Sequence, residues 1–159
     1  MAASPQPFEP PPGAAFLLSA LGSLAAARFA ERVAALDLAP PQVGLLRAIA
    51  AIPGQSQQAV AQLLGTPPSR LVALVDGLAD RGLVERHRNP TDRRLHALHL
   101  TDAGHATLGR LENLGQEHDN DICGALDTEE RARLRAMLIR IAEDQNLTPG
   151  VHPGYRRDC

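Results

Sequence analysis

The sequence contains no lysine and no tryptophan, and aromatic residues make up only 3% of its 159 positions. So few flat rings leave no stacking platform for single-stranded nucleic acid. Two cysteines, Cys123 and Cys159, make no disulfide framework, so a reducing, cytoplasmic location is expected. The N-terminus lacks a basic segment ahead of an apolar run, and no uninterrupted apolar stretch approaches the ~18 residues of a membrane span. Neither a secretory signal nor a membrane partner is therefore expected. Gly-x-Ser-x-Gly, His-Glu-x-x-His, phosphate-loop and dinucleotide fingerprints are all absent. The acids between positions 112 and 130 have no adjacent base. No catalytic residue, cofactor or enzyme activity is expected.

Charge of one sign is also missing overall, since the formal net charge is −2. Its distribution is uneven. Residues 65–100 carry six arginines against four acids, and residues 101–147 carry five against ten. An Arg-rich middle followed by an acidic stretch describes one basic face, not a general polyanion binder.

Residues 1–13 hold five prolines without periodicity and read as a disordered tail, as do residues 148–159. Between them the helical signals are strong. Leu17, Leu21, Leu24, Phe29, Val33 and Leu36 recur at three- and four-residue steps and predict a first helix. Pro40 opens a second, with Val43, Leu46 and Ile49 on its apolar stripe and Pro53-Gly54 at its end. Ser56 caps a short third helix that Gly65 stops. A fourth runs from about Thr66-Pro67-Pro68 to Gly82, with Thr66 as the expected cap and Leu71, Leu74, Val75 and Leu78 on its core face. Residues 83–88 and 95–100 read as two strands around the turn-rich Asn89-Pro90-Thr91-Asp92. A long helix follows from about Asp102 to Ile122. A last one starts at Asp127, whose spacing to Glu130 makes a capping box. Two helices joined by a tight turn, the second leading into a hairpin, describe a winged helix-turn-helix. The fold class is thus mostly α with a small β-hairpin wing (α+β). In such a unit the second helix fits the major groove of DNA and the hairpin tip lies against the backbone or minor groove.

The run from Leu74 to Arg86 (LVDGLADRGLVER), then Asn89 to Arg94 (NPTDRR), then Leu100 to Gly104 (LTDAG) resembles the MarR family of winged helix-turn-helix bacterial transcriptional regulators. The resemblance covers residues 14–147. It implies a winged helix-turn-helix over about 40–101, and N- and C-terminal dimerisation helices over about 14–37 and 102–147. It implies a homodimer on a pseudo-palindromic double-stranded operator, acting as a repressor and released by a small phenolic or other organic effector. The DNA-binding residues it implies are Ser56 and Gln57 at the third helix, Pro68, Ser69, Arg70, Val72 and Ala73 on the recognition helix, and Asp92, Arg93 and Arg94 in the wing. Arg94 is the minor-groove arginine and Asp92 its holder; Arg93 is a phosphate contact or a structural one. Arg86 and Arg88 either touch phosphate or pair with Glu85 or Asp80. Arg70 either reads guanine or pairs with Asp76 on the helix surface.

Val72, Ala73 and Gly77 depart from the family pattern, which has polar or arginine readers there. The second reading is therefore a winged-helix protein-interaction module that has lost sequence readout; the retained Asp92 and Arg94 weigh against it. Ala39 replaces the usual hydroxyl cap. By helix order, an effector pocket is expected around Phe16, Leu17, Leu45 and Leu111. The family's peroxide sensors use a cysteine near the first helix, which is missing here, and Cys123 reads as a small buried hydrophobe. Zinc-sensing relatives pair histidines one turn apart, whereas His105 is followed at that spacing by Gly109. His118 with Asp119 and Asp121 reads as a solvated acidic face, so no metal site is expected.

Overall fold

A computed structural model describes residues 12–88, 96–148 and 150–152. Its elements follow the predicted order: α1 (Ala14–Ala34), α2 (Pro40–Ala51), α3 (Gln57–Leu64), α4 (Pro68–Asp80), β1 (Val84–Arg88), β2 (His96–Leu100), α5 (Asp102–Ile122) and α6 (Thr128–Asp144). The described residues are mostly helical, with one antiparallel pair among them in which Val84 faces Leu100 and Arg88 faces His96.

Local chemistry explains the boundaries. Ser56 Oγ accepts the Ala59 N–H at 3.1 Å and starts α3. Gly65 adopts the left-handed conformation (φ 61°) that ends it. Asp127 and Glu130 exchange side-chain-to-backbone bonds of 2.9 Å at the start of α6. Ala39 offers no side-chain oxygen, but the Gln42 side chain reaches back to the Ala39 N–H at 2.9 Å, so half of a capping box survives at α2. The fourth helix departs from expectation. Pro67 occupies its cap position and Pro68 its first turn, and Thr66 is buried with its hydroxyl unpartnered. With two prolines in succession, the rigid extended Pro67 (ψ 140°) sets the entry angle in place of a hydroxyl.

The core lies among α2, α3, α4, the hairpin and the C-terminal end of α1. Leu45, Leu46, Ile49, Val60, Leu71, Val75, Leu78, Leu98 and Leu111 are fully buried there with Val33. Each leucine so buried contributes about 2 kcal/mol relative to exposure. Loop residues extend the hairpin: the Gly54 N–H donates to the Leu98 carbonyl at 2.9 Å, the Leu98 N–H donates to Gln55, and Ser56 bridges Ala97. The wing base is thereby tied to the start of α3.

Two motifs acquire structural reasons. In Leu100-Thr101-Asp102-Ala103-Gly104, the Thr101 hydroxyl donates to the Gly82 carbonyl at 2.6 Å and accepts the Gly104 N–H at 3.0 Å. A Cβ at Gly104 would sit 2.1 Å from the Leu83 carbonyl oxygen. In Arg81-Gly82-Leu83, the Arg81 guanidinium donates to the carbonyls of Leu36 and Asp37 at the end of α1. Asp37 there has a left-handed φ of 54°. These bonds lock the end of α4 to α1 and the hairpin to the start of α5.

α1 and α6 are the elements least covered by the rest of the chain. α6 has no buried residue, and Phe16, Leu17, Leu18, Leu21 and Leu24 on α1 are exposed with Met137, Leu138, Ile139 and Ile141 on α6. α1 is long and apolar enough to cross a membrane by length and composition alone, although charged residues interrupt its apolar run. Its C-terminal half belongs to the fold, with Val33 wholly buried and Phe29 packed on the core. The described part of the C-terminal segment also differs from a disordered tail, because Val151 packs against the core.

Candidate nucleic-acid interface

The turn through Gly65 sets α4 beside α3 with its N-terminus on the surface. Pro68, Ser69, Val72 and Ala73 are exposed and Arg70 is half-buried. Val72, at 44% exposure, is a large apolar side chain facing solvent on a helix whose opposite side is core. No side chain caps α4, so the N–H groups of its first turn are left for an outside acceptor. Ser56 and Gln57 lie at the α3 N-terminus. Ser56 is occupied as a cap, and the Gln57 amide nitrogen is buried without a partner.

Asp76 is not the partner of Arg70. It pairs with Arg86 of β1, which ties α4 to the hairpin. Arg86 thus takes neither of its expected partners, Glu85 or Asp80, because the strand places it toward α4. Glu85 bonds His87 Nε2 at 2.9 Å instead, and His87 stacks on His99 across the hairpin. Arg70 forms no ion pair among the described residues. Asp92, Arg93 and Arg94 lie outside the described residues.

A second feature is a cavity of about 400 Å³ walled by α1, α2 and α5. Gly22, Ala25, Ala26 and Gly44 give it a smooth apolar lining, Phe29 and Val43 close its inner end, and Arg47 and His118 supply polar groups. It does not use the four expected residues. Leu45 and Leu111 are buried in the core, whereas Phe16 and Leu17 are exposed near the start of α1. Helix order places an element beside a pocket but does not say which side of that element faces it.

His118 packs against Phe29, its ring centroid 5.6 Å away, and its Nδ1 is buried without a partner. Burial, with Arg32 and Arg28 nearby, lowers its pKa below the ordinary 6.5 despite the opposing pull of Asp121 and Asp119. Asp121 is a bridge between helices, accepting from Arg28 at 3.0 Å and Arg32 at 3.1 Å. The Arg32 bond, followed by the charge of Arg28, holds its carboxyl below the usual range. Among the described residues, no three His, Cys, Asp or Glu side chains are placed to hold a metal. Cys123 is half-buried at the end of α5, less enclosed than its sequence setting predicts.

The lowered His118 value has a sign. Unfolded chains take up the proton first as pH falls from 6.5, so stability is full above 6.5 and declines toward the folded pKa. Urea denaturation at pH 7 and pH 5 is expected to show a smaller loss in His118→Gln than in the parent protein. Equal losses would contradict the lowered pKa of His118.

The MarR family model matches residues 36–95. A protein of Thauera aromatica described as a transcriptional regulatory protein for the hcr operon is 35% identical over 130 residues, covering 80% of this chain and 78% of its own. The transcriptional regulator HosA of Escherichia coli O111:H- is 33% identical over 104 residues, covering 65% and 76%. Among solved structures, the transcriptional repressor CouR bound to a 23-mer DNA duplex is 36% identical with a TM-score of 0.72, covering 82% of this chain and 92% of that one. Apo MarR from E. coli, 23% identical with a TM-score of 0.73 over 82% and 97%, shares the fold. The relatives at 30% identity or more bear the names of transcriptional regulators. The chain belongs to the MarR family of transcriptional regulators.

Proposed function

We propose that the protein is a homodimeric repressor that binds a pseudo-palindromic operator and is released by a small organic acid. One observation carries the DNA-binding reading: α4 presents Pro68, Ser69, Arg70, Val72 and Ala73 from an uncapped N-terminus beside the hairpin. Arg70 suits guanine and Val72 the thymine methyl, while the N–H groups of the first turn suit phosphate. The repressor CouR, solved on DNA, supports this reading through its sequence likeness. Asp92, Arg93 and Arg94 are assigned to the minor groove and backbone on their sequence pattern. The Asp76–Arg86 pair then sets the distance between helix and wing.

The dimer reading is supported by the exposed large apolar side chains gathered on α1 and α6. An isologous pair through these helices carries two recognition helices to half-sites about 10 bp apart. The effector reading is supported by the α1–α2–α5 cavity. Its small-residue lining accepts a flat ring, and Arg47 with His118 suits a carboxylate or phenolic oxygen. A ligand wedged between α1 and α2 changes the angle between dimer layer and winged lobe, and both lobes must fit successive grooves at once.

Arg70→Ala and Arg94→Ala separate the roles. In fluorescence anisotropy on operator DNA, Arg94→Ala is expected to weaken binding and lower the salt slope by about one unit per lobe. Arg70→Ala is expected to relax base preference, by about 1–3 kcal/mol of discrimination at one position. Unchanged affinity in Arg94→Ala would remove the wing assignment, and a uniform loss over all sequences in Arg70→Ala would make Arg70 a phosphate contact.

A further inference from the structure

We propose that the α1–α2–α5 cavity takes up its organic anion together with a proton that settles on His118, so that the anion and acidity act jointly on one site. The proposal rests on the reading of that cavity as the effector site and adds the proton to it. The described residues that line the cavity include no acid. Arg47, in its α2 wall, forms no ion pair among the described residues. One of its guanidinium nitrogens lies 3.6 Å from the point where a Cβ of Gly115 would stand, so the missing side chain lets the cation rest against α5. His118, in the α5 wall, packs on Phe29, and its Nδ1 is buried without a partner. An enclosed ring nitrogen left unpaired is costly, and an oxygen of a bound carboxylate is the partner it lacks.

The surroundings keep His118 neutral while the cavity is empty. Burial acts first, and Arg32 and Arg28 reach the ring from α1; Asp121 and Asp119 on its own helix pull the other way without prevailing. Asp121 is already engaged by Arg28 and Arg32, and Glu117 lies 3.9 Å from Arg32. The cavity receives Arg47 from α2 and His152 from the chain beyond α6. A carboxylate entering this basic wall supplies the negative charge that it lacks. The imidazole then takes one proton from water, and its Nδ1–H donates to a carboxylate oxygen while Arg47 supplies the second cation. No covalent bond to carbon changes, and the complex holds one proton more than its separated parts. Affinity therefore rises as pH falls, by up to about tenfold per unit between the His118 pKa of the empty cavity and that of the filled one.

The test uses benzoate as the probe and the full chain throughout. Titration calorimetry at pH 7 in PIPES and in imidazole buffer is expected to give different heats, the difference reporting proton uptake. Benzoate is expected to bind the parent about fivefold or more tightly at pH 6 than at pH 7.5, and His118→Gln with less than about twofold change. NMR of the parent needs no variant: the imidazole signals of His118, identified by their proximity to the Phe29 ring, are expected to titrate at higher pH when benzoate is saturating. Benzoate that binds with equal heats in both buffers and an unmoved His118 titration would overturn the proton uptake and leave the cavity reading standing. A pH dependence as steep in His118→Gln as in the parent would overturn His118 as the group that takes the proton. Failure of benzoate to bind, or an affinity unchanged by Arg47→Gln, would overturn the cavity reading and the proton uptake together.

Discussion

Replacing Gly104 with alanine is expected to cost the fold about 3 kcal/mol or more, a drop in melting temperature on the order of 10 °C. The reason is a single approach. The start of α5 presses on the backbone of Leu83, and a methyl group at position 104 would meet the Leu83 carbonyl oxygen at 2.1 Å. That oxygen is also the acceptor of the Thr101 N–H at 3.2 Å, and the Thr101 hydroxyl donates to the neighbouring Gly82 carbonyl. Relief by moving α5 would break both bonds at once, and the backbone atom being struck has no rotamer to swing away. Gly109→Ala on the same helix is the control, since nothing lies within 4 Å of its Cβ position. It is expected to be neutral or stabilising by up to about 1 kcal/mol. Thermal unfolding of the two variants checks the pair, and equal melting temperatures would contradict the close packing of α5 on the wing.

Introducing charge on the uncovered helices is expected to abolish operator binding without unfolding the winged lobe. Leu21 of α1 and Met137 of α6 are each 52% exposed in the single chain, so Glu at either position removes nothing from its core. In a dimer built through these faces, the same charges are buried against apolar surface. The double variant Leu21→Glu, Met137→Glu is expected to run as a monomer in sedimentation, with helical circular dichroism retained. Its operator affinity is expected to fall by about 100-fold or more, because two linked lobes gain their affinity from simultaneous engagement. A monomeric variant that binds the operator as tightly as the parent would contradict the two-lobed mechanism.

Much of this architecture is legible in the residues, and the parts that are not share a physical cause. Helix order, the Ser56 cap, the Gly65 stop and the Asp127–Glu130 box are local, and local signals survive in sequence. The partner of Arg86 is not local: Asp76 lies ten residues away on another element, and which acid an arginine meets depends on the angle between helix and strand. The same holds for Arg81, whose acceptors are the carbonyls of Leu36 and Asp37, 45 and 44 positions earlier. Carbonyl acceptors leave no mark in a sequence. The cavity escaped for another reason. Much of its lining is small (Gly22, Ala25, Ala26 and Gly44), and helix order does not tell which side of an element faces it, so Leu45 and Leu111 fall in the core instead.

The central claim is sequence-specific binding of DNA by α4 and the wing. Its most direct test is fluorescence anisotropy of the purified protein on the intergenic DNA upstream of its own gene and on a scrambled duplex of equal composition, at two salt concentrations. A preference for the upstream DNA that persists at the higher salt is the predicted result, because base contacts from Arg70 and Val72 survive when phosphate contacts weaken. Equal binding to both duplexes, erased together by salt, would contradict the claim for that segment. It would favour a winged-helix module that meets a protein through the apolar Val72 and Ala73 surface.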